Sequence, residues 1–129
     1  IGWCLMSDDS RYSGEIGIVP PLTWAEVRRG PDLEHLKLLL NEQVENTETG
    51  TVTTTTAVAV AVVMATFSGY RIDDELQALV DAHPGHEFTG HIEAHPEDSD
   101  GTPWRHVVRD RKSVQIEARI VWPEDEPGA

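Results

Sequence analysis

The run Thr-Val-Thr-Thr-Thr-Thr-Ala-Val-Ala-Val-Ala-Val-Val-Met, residues 51–64, constrains the fold of this chain more than any other stretch. Threonine and valine branch at Cβ, which costs rotamer freedom in a helix and suits a pleated surface. The segment from Thr51 to about Met64 is therefore read as a strand. A buried helix over Ala57–Ala65 is the alternative, and the β-branched block Thr51–Thr55 argues against it. Val58, Val60 and Val62 would face one side, with Ala57, Ala59 and Ala61 on the other. Apolar residues on both sides describe a central strand, covered on one face and closely approached on the other.

Alternation elsewhere supplies neighbours for that strand. Tyr12–Val19 places Tyr12, Gly14, Ile16 and Ile18 on one face, and Pro20-Pro21 is expected to end it. Thr23-Trp24-Ala25-Glu26 then has the spacing of a capping box, with Leu22 and Val27 as a hydrophobic staple, and Gly30-Pro31 stops the short helix. Leu36–Val44 reads as a strand with Leu36, Leu38 and Leu40 inward. A second helix is capped by Asp73 or Asp74 and carries the stripe Leu76, Leu79, Val80 and His83. Glu87–His95 alternates with Phe88, Ile92 and Ala94 inward and Thr89, His91, Glu93 and His95 outward. A turn over Asp98–Gly101 leads to Trp104–Arg109. A tighter one near Asp110–Lys112 leads to a last strand with Val114, Ile116, Ala118, Ile120 and Trp122 on one face.

The expected class is α+β. The order is that of a ferredoxin-like β-α-β-β-α-β core extended by a C-terminal antiparallel hairpin, with the helices on one face of a mostly antiparallel sheet. Residues 12–122 form the single domain, 1–11 a loose N-terminal segment, and 123–129 an acidic tail that frays. Trp24, Trp104 and Trp122 are read first as core residues.

Charge narrows the function classes. The net charge is −13, from 23 acids against ten Lys and Arg, and the acids are uneven: residues 71–100 hold nine of them beside Arg71 alone. Such a chain repels nucleic acid and anionic lipid and draws cationic partners. The strand order overlaps that of RNA-recognition motifs, but the strands lack the stacking aromatics those need. The longest apolar run, Ala57–Ala65, is nine residues, too short for a bilayer. Cys4 is the single cysteine, so no disulfide forms within the chain and a cytoplasmic setting is expected.

Candidate chemistry lies in residues 83–98. His91, Glu93 and His95 would project from one strand face, and a register setting Glu93 opposite His106 would add a third imidazole, a two-His, one-carboxylate metal arrangement. Phosphate loops, nucleophile elbows and zinc-type cysteine pairs are absent from the sequence.

Gly14-Glu15-Ile16-Gly17-Ile18-Val19-Pro20-Pro21-Leu22-Thr23-Trp24-Ala25-Glu26 resembles the opening of a family of small uncharacterised proteins of actinobacteria and their phages. The stretches Glu75–His86, Phe88-Thr89-Gly90, Trp104-Arg105, Val107-Val108 and Arg119–Pro123 are similar to that family too. The resemblance implies an actinobacterial or phage origin and carries over no functional residue.

The leading functional reading is a non-enzymatic interaction domain without a cofactor, acting on a basic protein partner. Its face is Asp73, Asp74, Glu75, Asp81, Glu87, Glu93, Glu97, Asp98 and Asp100. A phage accessory protein and an immunity-type inhibitor of a basic toxin are its special cases. The alternatives are a metal- or ligand-binding domain using His91, Glu93, His95 and His106, and a homo-oligomer paired through the Thr51–Met64 strand should that strand lie at an edge.

Overall fold

The structure is a computed structural model that describes residues 10–63, 66–67, 72–96 and 101–119. The expectations placed on Cys4, Met64, Glu97, Asp98, Asp100, Ile120, Trp122 and both terminal segments lie outside the described residues. In chain order the elements are β1 (Ser10–Thr23), α1 (Trp24–Arg29), β2 (Leu36–Thr47), β3 (Gly50–Val62), β4 (Thr66–Phe67), α2 (Ile72–Ala82), β5 (Glu87–Pro96), β6 (Trp104–Arg109) and β7 (Lys112–Glu117). Six strands stand in the order β2-β3-β1-β5-β6-β7, each neighbouring pair antiparallel, and β4 pairs with the start of β1. The fold is α+β and mostly sheet.

The core lies between this sheet and α2. Tyr12, Ile16, Ile18 and Leu22 of β1 meet Leu36, Val60, Phe88 and Ile92 of the neighbouring strands and Ile72, Leu76, Leu79 and Val80 of the helix. Each fully buried Leu or Ile there contributes about 1.5–3 kcal/mol relative to exposure. The α1 cap forms as its spacing predicts: Glu26 N–H donates to Thr23 Oγ1 at 3.2 Å, and Thr23 N–H donates to Glu26 Oε1 at 3.0 Å. Val27 packs against the core, as a staple residue should. Helix α2 begins at Ile72, so Asp73 and Asp74 occupy its first turn instead of capping it.

Three expectations are corrected by strand register. First, Pro20-Pro21 does not end β1, which continues to Thr23. Between Gly17↔Ala59 and Leu22↔Ala57, four residues of β1 stand against Val58 alone. The two prolines sit in this bulge, where their missing amide hydrogens break no ladder. Second, Val58 is also the extra residue against β2, between Leu39↔Ala59 and Leu40↔Ala57. The bulge changes the phase of β3, so Ala57 joins Val60 and Val62 on the core side. Ala59 is buried on the other face, beside Gly17 and Leu39.

Third, Leu40 shares the core-side face of Leu38 and Ala57 but lies past the end of the core and is 50% exposed. Strand β1 stops pairing with β3 at Thr23↔Thr56, whereas β2 and β3 stay paired out to Thr47↔Gly50. Every residue from Leu40 to Thr54 is exposed. The end of the β2–β3 hairpin is thus a two-stranded arm that runs about 20 Å past the core.

At the other edge, Asp110 (φ 51) and Arg111 (φ 63) make the tight turn expected between β6 and β7. Pairing of Val107 with Val114 and of Arg105 with Ile116 puts Val114 and Ile116 on the face away from the helices. They were expected in the core and are half-buried instead. Trp24 is likewise 45% exposed at the start of α1. Trp104 packs at the core margin as expected.

Candidate functional site

The predicted metal set is split between two faces. Strand β5 turns His91, Glu93 and His95 outward, where His95 Nε2 lies 2.7 Å from Glu93 Oε2 and Arg105 Nε donates to Glu93 Oε1 at 2.9 Å. The His95 ring and the Arg105 guanidinium hold the Glu93 carboxyl below the usual range. His106 is opposite Ile92, not Glu93. That difference of one residue sends its ring to the opposite face.

There His106 is 2% exposed and engaged at both nitrogens. Trp104 Nε1–H can only donate, so His106 Nε2 accepts it at 2.8 Å and the ring proton sits on Nδ1, 2.9 Å from Asp73 Oδ1. His106 has no lone pair left for a metal. Among the described residues no three His, Cys, Asp or Glu side chains are placed to hold one.

The predicted acidic face is also redistributed. Asp73 accepts from His106 and, at 2.6 Å, from Ser113 Oγ, tying α2 to β6 and β7. The hydrogen bond from His106 keeps the Asp73 carboxyl low, outweighing the opposing effect of burial. Glu75 turns toward the start of β2 and accepts the amides of Glu34 (2.7 Å), His35 (2.9 Å) and Leu36 (3.3 Å), with His35 Nδ1 at 2.5 Å. Burial raises the Glu75 pKa and these donors more than reverse it. Asp74, Asp81 and Glu87 remain on the surface, with Asp81 receiving Gln77 Nε2 at 3.0 Å.

One cluster was not anticipated. His86, 8% exposed, places Nε2 2.8 Å from Glu26 Oε2 and Nδ1 2.5 Å from the Pro20 carbonyl. The Pro20 carbonyl can only accept and an ionised Glu26 likewise, so the two contacts favour the imidazolium form of His86, in which both ring nitrogens donate. Burial alone would lower its pKa, but the Pro20 carbonyl and the Glu26 carboxylate raise it. Glu26 is pulled down to about 2, first by the Thr23 amide and then by His86. His83 lies beside it, ring centroids 6.0 Å apart, and burial pushes its pKa down. Arg111 donates to the carbonyls of Val80, His83 and His86 and so closes the C-terminal end of α2. The single local sign in the sequence was the capping-box glutamate.

Two surface depressions accompany these networks. A cleft of about 310 Å³ is bordered by Glu93, Trp104, Arg105 and Ile116. A shallow groove of about 280 Å³ between the start of β2 and α2 is lined by Asp32, Glu34, Asp74, Glu75 and Ala78. Every ionisable side chain lining the groove is an acid.

The geometry defines a mostly antiparallel α+β domain whose well-placed imidazoles are joined to carboxylates that hold elements together. Residues 6–128 match DUF6205, a family of unknown function, and the chain belongs to that family. No curated protein and no solved structure matches it.

Proposed function

We propose that this protein is a non-enzymatic binding module that takes a basic segment of a partner protein at the acidic end of α2. The observation that carries this reading is the groove lined by Asp32, Glu34, Asp74, Glu75 and Ala78, where the exposed acids Asp32, Glu34 and Asp74 stand beside Glu75, whose own carboxylate is taken up by His35 and the amides at the start of β2. Asp81 and Glu87 of the expected acidic set extend the negative surface along and beyond the helix. An overall charge of −13 would steer a cationic partner toward it. The pairings of His35, His86 and His106 with Glu75, Glu26 and Asp73 support a role without chemistry of its own, since each pair joins distant parts of the fold.

We read this module as a phage or host accessory protein of a bacterial cytoplasm, a reading supported by the resemblance of its sequence to small proteins of actinobacteria and their phages. Inhibition of a basic toxin would use the same surface. On the fold, we read β2-β3-β1-β5 as the ferredoxin-like split βαβ order, widened by the β6–β7 hairpin. Affinity capture in the source organism tests the binding role, with wild type beside an Asp32→Lys/Glu34→Lys/Asp74→Lys variant. Proteins held by wild type and lost from the variant, with binding that weakens in salt, are expected; identical capture by both overturns the proposal.

A further inference from the structure

Among the described residues the two edges of the sheet differ. Strand β7 is a short edge of six residues that ends in Lys112 and Glu117. Strand β2 is twelve residues long, contains no proline, and its bulge falls on β3 and not on itself. Along it and its hairpin partner stand Leu40, Val44 and Val52, at 50%, 62% and 50% exposure. From Leu38 on, no described strand pairs with this side of β2, so a long edge with apolar residues offers its amides and carbonyls to a matching strand.

We infer that the strand which covers β2 is β2 of a second copy, joined antiparallel about a two-fold axis through Asn41. Such an axis stands perpendicular to the sheet and keeps each face on its own side, so residues meet partners of the same parity. Lys37 is the only cation of β2, and the register centred on Asn41 is the only one so permitted that sets it opposite an acid, Glu45 of the second copy. Symmetry makes this pair twice. Within the chain those two side chains stand opposite Ala61 and Val52, so neither cross-strand neighbour supplies an opposite charge.

The same register sets Leu38 against Val44 and Leu36 against Asn46. Leu38 packs on the core, so Val44 of the second copy gains an apolar floor that its own chain does not provide. Glu42 meets Leu40 and lies diagonally from its counterpart, and these contacts count against the register. Neighbouring registers are worse. Centring on Leu40 puts Leu38 against Glu42 and Lys37 against Gln43, and centring on Glu42 sets two carboxylates face to face. In the Asn41 register each arm lies along the core-bearing end of the other copy's β2. A two-stranded ribbon, marginal in water by itself, thereby gains a third strand. This surface is separate from the acidic groove and does not rest on its role.

Sedimentation velocity tests the inference on the full chain with wild type, Lys37→Glu, Glu45→Lys and the double exchange. Wild type is expected to be a dimer at concentrations of about 10–100 μM, each single variant to weaken association by about tenfold or more, and the exchange to restore it. Both positions are exposed, and circular dichroism should be the same for all four proteins. Wild type remaining monomeric up to about 1 mM, single variants associating like wild type, or an exchange variant no better than the singles would each overturn the inference.

Discussion

Glu26 and His86 hold each other in the charged form, and the stability they supply depends on pH in two directions. The folded pKa of His86 is raised, so its contribution is complete below the ordinary value of about 6.5 and is lost as pH rises through the higher folded value. The folded pKa of Glu26 is depressed to about 2, so its contribution is present above the usual carboxylate range and is lost as pH falls toward that value. His86→Gln is expected to lower Tm by about 3–8 °C at pH 6, and the gap to wild type should narrow as pH rises above 7. Thermal melts of both proteins from pH 6 to 9 check it; a gap that widens with pH contradicts the assignment. The capping box was legible because Thr23 and Glu26 are neighbours on one turn. The His86 partnership was not, because Glu26 lies 60 residues away and nothing local records it. The Asp73–His106 bond was hidden in the same way, and it also required a strand register that sequence pattern leaves one residue uncertain.

Among the elements, periodicity located β5 well, because Phe88, Ile92 and Ala94 fall on one covered face, while β6 was bounded by the turns on either side of it. It failed where a bulge intervenes. Val58 changes the phase of β3 partway along, and a pattern with valines and alanines on alternate positions looks the same before and after the change. It failed again at β7, where Val114 and Ile116 are the apolar residues but Ser113 faces α2 through Asp73 and Gln77. The arm follows from the same pairing: β1 ends against Thr56, and β2 and β3 go on without it. Because the arm buries nothing in the core, replacing residues 42–55 by Asn-Gly between Asn41 and Thr56 should leave a folded domain. In dilute solution its Tm is expected to stay within about 5 °C of wild type. Calorimetry checks this, and loss of a cooperative transition would show that the arm is needed by the core.

At the scale of the whole molecule, the α+β class was legible because alternating and helical periods succeed each other along the chain. The surface was less so. Residues 71–100 contain the most acid, yet folding turns Asp73 and Glu75 inward and draws Asp32 and Glu34 from some 40 residues upstream to meet Asp74. A charge run in sequence is therefore a poor map of a charged surface, since half of a helix's side chains face its own fold. The projecting hairpin has a historical consequence as well. A segment released from core packing can change by descent at little cost in folding, so substitutions in this family should gather in residues 41–56. If β2 meets its own copy, two positions in and beside that segment lose this liberty. Wherever a member carries an acid at position 37, it should carry a base at position 45, and an alignment of the family will show whether the two have changed hands together.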